Sequence, residues 1–259
     1  MERVEPKVFT VAMTMSSPAE MVRYLNHVGA PGWETDAPSD AEEVIEVMGR
    51  SCYKSFGTEL NANIKKVREG NDEYVENILR VRHGSVLEHS SVSFMFCDVS
   101  RVFTHELCRH RAGVAISQES LRFVRLTDLR FWVPTVIAEN EEARELVLRT
   151  VSHLEHVQQA LGELLIDDDM PFSQKKTITS AMRRVAPIGL ATNIGWTANF
   201  RTLRWVLEMR THPSAEEEIR LVFGEVGRIV TEMFPNVFGD FDVIEEGGLP
   251  FYKPRNEKV

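Results

Sequence analysis

Apolar residues recur at helical spacing along most of the chain and at every second position in short stretches, so both helices and strands are predicted. The cleanest stripe runs from Glu141 to Leu165, where Ala143, Val147, Val151, Leu154, Val157, Leu161 and Leu164 fall on one helix face. Asp167, Asp168 and Asp169 end it, and Pro171 prevents continuation. Shorter stripes predict helices over Ala41 to Phe56, through Val44, Val47 and Met48, and over Asn63 to Val81, the latter interrupted near Gly70. Ser173 is expected to cap a helix that stops before Pro187. Asn199 to Thr211 and Ala215 to Met233 read as two more helices, separated by Pro213. Alternation of Val92, Phe94 and Phe96 predicts a strand over Ser91 to Val99, after which Ser100 caps a helix running to Arg111. Further extended segments are expected at Phe123 to Val133 and Ile188 to Thr197. Pro18, Pro31, Gly32 and Pro38 mark residues 1–40 as an irregular extension, and the tail at 244–259 shows no core signal beyond Gly247. With no internal repeat or linker, one α+β domain over 41–243 is preferred to two.

At 259 residues the chain can bury a sizeable core without disulfide or metal staples. No stretch of about 18 apolar residues is present, and the first ten residues lack an apolar leader core, so no membrane or export segment is expected. Cys52, Cys97 and Cys108 are odd in number and include no CxxC pair, which suits a reducing cytoplasm.

The net charge of −9 argues against a nucleic-acid coat, and it is unevenly spread. Residues 101–125 hold Arg101, Arg109, Arg111, Arg122 and Arg125 against Glu106 and Glu119, a net of +3. Residues 181–212 hold Arg183, Arg184, Arg201, Arg204 and Arg210 against Glu208, a net of +4, which leaves −16 elsewhere. Arginine forks suit bidentate contact with phosphate or carboxylate, so these islands point to small anionic ligands; solvated surface helices are the plainer explanation.

His105 and His110 approach a zinc-protease pair, but five residues apart they are turned about 140° from each other on a helix, which disfavours a shared metal. Asp167 to Asp169 reads as a solvated turn, and His83 and His89 as isolated histidines. Neither G-x-S-x-G, nor a P-loop, nor G-x-G-x-x-G is present, so a nucleotide cofactor would be held by side chains.

Arg109-His110-Arg111, eight intervening residues, Ser120 and then Arg122 resemble the signature of the flavin-dependent thymidylate synthases. The flanking text is similar to that family too: His83 with Glu88-His89, Thr104-His105-Glu106-Leu107, Ser117 through Phe123, Arg183 to Pro187, Trp196 through Arg201, and Arg210. The resemblance spans about residues 41–243 and takes in both arginine islands.

It implies a single domain with an antiparallel sheet packed by long helices, a homotetramer with shared active sites, and FAD as cofactor. The implied reaction converts dUMP to dTMP with 5,10-methylenetetrahydrofolate and NADPH. Arg210 would stabilise negative charge on the uracil ring. Glu106, Arg109, Gln118, Ser120, Arg122 and Arg183 would contact the nucleotide, with Ser120 positioning rather than attacking because no base adjoins it. Arg109, His110, Arg111, Gln118, His83, Ser85, Asn199, Arg201 and Trp205 would surround FAD, together with Cys52 or its neighbour Ser51. No metal, nucleic-acid or membrane partner is implied. Cys108 is a possible nucleophile toward uracil C6, but it is expected to face the packed side of its helix.

Three departures stand out. The spacer has eight residues rather than the commoner seven, Phe123 stands where tyrosine is frequent, and Trp205 stands where Asn or His often touches the flavin. A related UMP C5-methylase is the near alternative. A zinc hydrolase and a non-catalytic nucleotide-binding protein are the alternatives from other classes.

Overall fold

The computed structural model describes residues 2–121 and 129–259. In chain order the elements are β1 (Glu2–Arg3), β2 (Lys7–Met13), α1 (Pro18–Val28), α2 (Asp40–Tyr53), α3 (Asn71–Arg80), β3 (Ser91–Ser100), α4 (Arg101–Leu107), β4 (Val114–Gln118) and β5 (Arg130–Phe131). There follow α5 (Thr135–Ala138), α6 (Glu141–Leu165), α7 (Phe172–Met182), β6 (Ala191–Asn199), α8 (Phe200–Thr211), α9 (Glu217–Met233), α10 (Pro235–Phe238), β7 (Phe241–Glu246) and β8 (Leu249–Pro254). Short 3-10 turns cover Gly84–His89 and Arg183–Val185.

The main sheet has the strand order β2-β3-β6-β4. Asn199 donates its amide to the Gly113 carbonyl and Glu119 donates to Asn193, so β6 and β4 run in opposite senses. The chain forms two compact units, each built from three segments.

The first unit, Met1–Phe9, Met95–His110 and Ile116–Trp196, contains the long helix α6. Its bounds match the predicted stripe, with Asn140 capping the Ala143 amide. Val151 on α6 packs with Leu129 and Leu190, and Phe96 stands edge-on to Phe103. Ser100 caps α4 as expected, accepting from the Phe103 amide, but the helix stops at buried Leu107 rather than at Arg111. α7 begins at Phe172 without a side-chain cap, so Ser173 does not serve as one. Of the strand expected at 123–133, residues 123–128 lie outside the described residues, and Arg130–Phe131 is extended.

The second unit, Thr10–Phe94, Arg111–Ala115 and Thr197–Val259, contains α1, α2, α3, α8, α9, α10 and the β7–β8 hairpin. Ser39 and Glu42 form a reciprocal box at the start of α2, the Ser39 Oγ accepting from the Glu42 amide and donating to its carboxylate. Glu46 and Arg50 on the same helix make a buried ion pair at 2.6 Å, completed by Asn71 and Thr35. α8 is capped by the Asn199 side chain, which accepts from Thr202.

Three expectations fail here for local reasons. Residues 7–28 are not irregular: KVFTVAM is a strand, and Pro18 occupies the first turn of α1, where a missing N–H costs nothing. The predicted helix over Asn63 to Val81 is confined to Asn71–Arg80 because Gly70 is its N-cap, not an interruption. The tail does carry core: Gly247 and Gly248, at φ of +64° and +74°, turn an antiparallel hairpin that buries Tyr252.

Candidate active site

Arg201 lines two cavities of the second unit. Its position follows from the Asn199 cap, which starts α8 and sets Arg201 and Trp205 one turn apart along it. The larger cavity, about 460 Å³, is walled by Asn199, Arg201, Trp205, Gly113, Glu88 and Lys258, among others. Arg201 pairs with Glu88 at 2.6 Å, both side chains being close to half exposed. The smaller, about 300 Å³, is lined by Cys52, Tyr53, His83, Gly84 and Ser85 as well as Arg201. The imidazole of His83 stacks on Tyr53 with ring centroids 5.9 Å apart and planes 15° from parallel.

Both cavities have a glycine floor. A Cβ on Gly84 would stand 2.7 Å from Arg201 Nε, and one on Gly113, at φ of +68°, would stand 2.5 Å from Asn199 Nδ2. Backbone and donor groups therefore approach these two glycines more closely than a larger residue would allow. Cys52, rather than Ser51, faces the cavity: the Ser51 hydroxyl is 2.6 Å from Tyr24 OH and bonds the Val47 carbonyl. Six of the ten residues expected around FAD (Cys52, His83, Ser85, Asn199, Arg201 and Trp205) thus line these two neighbouring cavities. Arg111, also in this unit, is exposed and lines neither.

In the first unit, the Arg109 amide reaches Glu106 O and the His110 amide reaches Leu107 O, forming the turn after α4. Arg109 is exposed, while Glu106 and His110 are half-buried. Gln118, at the end of β4, donates to Thr104 Oγ1 at 3.1 Å, which ties the strand to α4. Half-buried Ser120 follows it. Arg183 is exposed and near enough to Arg101 for its charge to add to burial in holding the Arg101 guanidinium below its usual pKa; Glu119 opposes this. Cys108 is exposed rather than packed, because α4 has ended one residue earlier. Arg122, Phe123 and Arg125 lie outside the described residues.

The second arginine island divides by role. Arg210 is buried on α8 at 8% exposure, whereas Arg204 pairs with Asp240 at 2.6 Å and is structural. His105 lies exposed on α4, and among the described residues no group of three or more His, Cys, Asp or Glu could hold a metal ion. No described helix is long and apolar enough to cross a membrane.

The family model described as "Thymidylate synthase complementing protein" matches residues 35–236. A flavin-dependent thymidylate synthase of Corynebacterium glutamicum is 35% identical over 215 residues, covering 82% of this chain and 83% of that one. The chain belongs to the flavin-dependent thymidylate synthase family. Its fold is shared with a UMP/dUMP methylase, PolB, from Streptomyces cacaoi (TM-score 0.63, 18% identity, 92% and 96% of the two chains). Thymidylate synthase X from Helicobacter pylori, crystallised with FAD and dUMP, also shares it (TM-score 0.57, 18% identity, 90% and 99%).

Within this family member, sequence reasoning overlooked Tyr53, Gly84, Gly113 and Lys258 as cavity residues, and quoted Glu88 without assigning it. Gly113 carried a signal, being a glycine two residues after the Arg109-His110-Arg111 triplet. Lys258 carried none, since its place depends on the hairpin that returns the chain to α8.

Proposed function

We propose that this protein is an FAD-dependent thymidylate synthase that methylates C5 of dUMP reductively, using 5,10-methylenetetrahydrofolate and NADPH. The observation that carries this reading is the sequence match over most of the chain to a named flavin-dependent thymidylate synthase. The glycine-floored cavities around Arg201 fit the cofactor, offering cationic and amide donors and an aromatic wall to a ligand with phosphates and a flat ring system. When bound, FAD would relay the reducing electrons of NADPH to the reaction.

The chain's own residues bind and orient. Arg201, His83, Ser85 and Asn199 hold the cofactor, with Cys52 and Trp205 on its wall and Arg109, His110, Arg111 and Gln118 completing the grip. Arg183, Arg122, Ser120 and Gln118 hold the nucleotide, with Glu106 and Arg109 beside them. Arg210 is the catalytic residue: a guanidinium that stays charged while buried stabilises negative charge spreading over the uracil carbonyls and N3, making C5 nucleophilic. A homotetramer with shared active sites accounts for the exposed Val136, Leu164, Phe172 and Ile188 of the first unit. Three free cysteines fit a reducing cytoplasm.

The test is turnover with dUMP and UMP side by side, each with methylenetetrahydrofolate and NADPH, together with the visible spectrum of the purified protein. Product from dUMP and flavin absorption near about 450 nm are expected. A clear preference for UMP would move the protein to the nucleoside methylases, and a colourless protein that takes up no FAD would refute the enzyme reading.

A further inference from the structure

Beyond Pro254 the chain returns to the larger cavity and covers part of it. Arg255 and Asn256 are firmly held: the Arg255 amide donates to Asp240 O at 2.9 Å, and Asn256 donates to the Asp240 carboxylate through its amide at 3.2 Å and Nδ2 at 2.9 Å. Past that anchor the attachment is slight. Lys258 turns back at a φ of +58°, a left-handed conformation that non-glycine residues rarely hold. Val259 O then accepts from Arg201 Nε at 3.3 Å, while Arg201 Nη1 is engaged by Glu88. The same segment rests on Gly84, where a Cβ would stand 2.5 Å from the Val259 carbonyl carbon.

Two edges of the Arg201 guanidinium are therefore taken by acceptors of the chain itself, at the residue shared by both cavities. A carbonyl-type oxygen and a carboxylate occupy places that phosphate oxygens would take, and a phosphate carries the greater charge. We propose that residues 257–259 form a strap, hinged at Asn256, which closes over Arg201 and lifts when the phosphates of FAD bind. The proposal rests on the FAD reading above and adds that the cofactor competes with the chain's own segment for one guanidinium.

A closed strap lowers the apparent affinity by the fraction of molecules in which it is open. Because Arg201 is near half exposed, the contact is a weak one, and its removal is expected to tighten FAD binding about threefold. The experiment compares the full chain with a variant ending at Asn256, which keeps every contact to Asp240. FAD is titrated by quenching of its fluorescence, and hydrogen exchange is followed in the peptide spanning 257–259 of the full chain. Tighter binding by the variant, with faster exchange of that peptide once FAD is added, supports the strap. Equal affinities overturn it and leave the FAD reading intact. Weaker binding by the variant also overturns it, making the segment a wall of the site. If neither chain binds FAD, both the strap and the FAD reading fall.

Discussion

Replacing Asp240 by alanine tests whether the second unit is held together by the ion pair under its larger cavity. Arg204 presents Nη1 and Nη2 to the two Asp240 oxygens at 2.6 and 2.9 Å, and its side chain is 4% exposed. Nη1 also donates to Val237 O, and the guanidinium lies over the Phe241 ring, 4.7 Å from its centroid. Removing the carboxylate strands a buried cation among backbone carbonyls and an aromatic face, which costs about 3–5 kcal/mol. At roughly 2–4 °C per kcal/mol for a chain of this size, the thermal midpoint should fall by roughly 6–20 °C. Thermal unfolding followed by far-UV circular dichroism measures this. The double variant Arg204→Met with Asp240→Ala should recover more than half the loss, because no charge remains buried. A loss below about 1 kcal/mol in Asp240→Ala, the scale of an exposed pair, would refute the reasoning. The pH profile gives a second check. Burial alone would raise the Asp240 pKa, but hydrogen bonds and charge from Arg204, helped by Asn256, outweigh it and hold the carboxyl below its ordinary value. Its stabilisation is thus complete above the unfolded pKa of about 3.9 and disappears as pH falls through the lower folded value. That acid limb should flatten in the variant.

Burial pushes the Glu42 carboxyl up despite its bonds to Ser39 and to the amides of Asn236 and Val237, so its contribution is present at low pH and is lost as pH rises through the folded value. Glu42→Gln, which keeps an acceptor for those amides, should remove that decline in urea unfolding measured from about pH 4.3 upward. Gly113→Ala is expected to lose about 1–2 kcal/mol from its positive φ and to weaken FAD binding as well, because the new methyl meets Thr202 Oγ1 and Asn199 Nδ2; unchanged FAD titration would remove Gly113 from the site. Arg210→Ala should abolish most turnover while retaining FAD, whereas His110→Ala or Arg111→Ala should weaken FAD. Equal FAD loss in all three would contradict the separate roles.

What could be read in the sequence was whatever repeats a period or a local signature. The α6 stripe fixes its own bounds because 25 residues of one period leave little freedom, and Ser100 announces itself as a cap before an apolar run. Pro18 and Gly70 misled because the same residue types that break a helix also begin one, and only the chain around them decides which. The Gly247-Gly248 turn was legible but was passed over in an acidic tail. The cofactor-side residues were found through family resemblance, whereas the structural role of Arg204 depends on Asp240, 36 positions away, and no periodicity shows that.

The placement of Cys52 on the wall of the smaller cavity gives the protein a natural chemical reporter. Its thiol is exposed, whereas that of Cys97 is half-buried and, through burial and the nearby Asp98 charge, has its pKa pushed up, away from the reactive thiolate. With Cys108 replaced by serine, an alkylating dye should label Cys52 first. The rate at which ligands slow that labelling would then measure how full the cavity is in the purified protein.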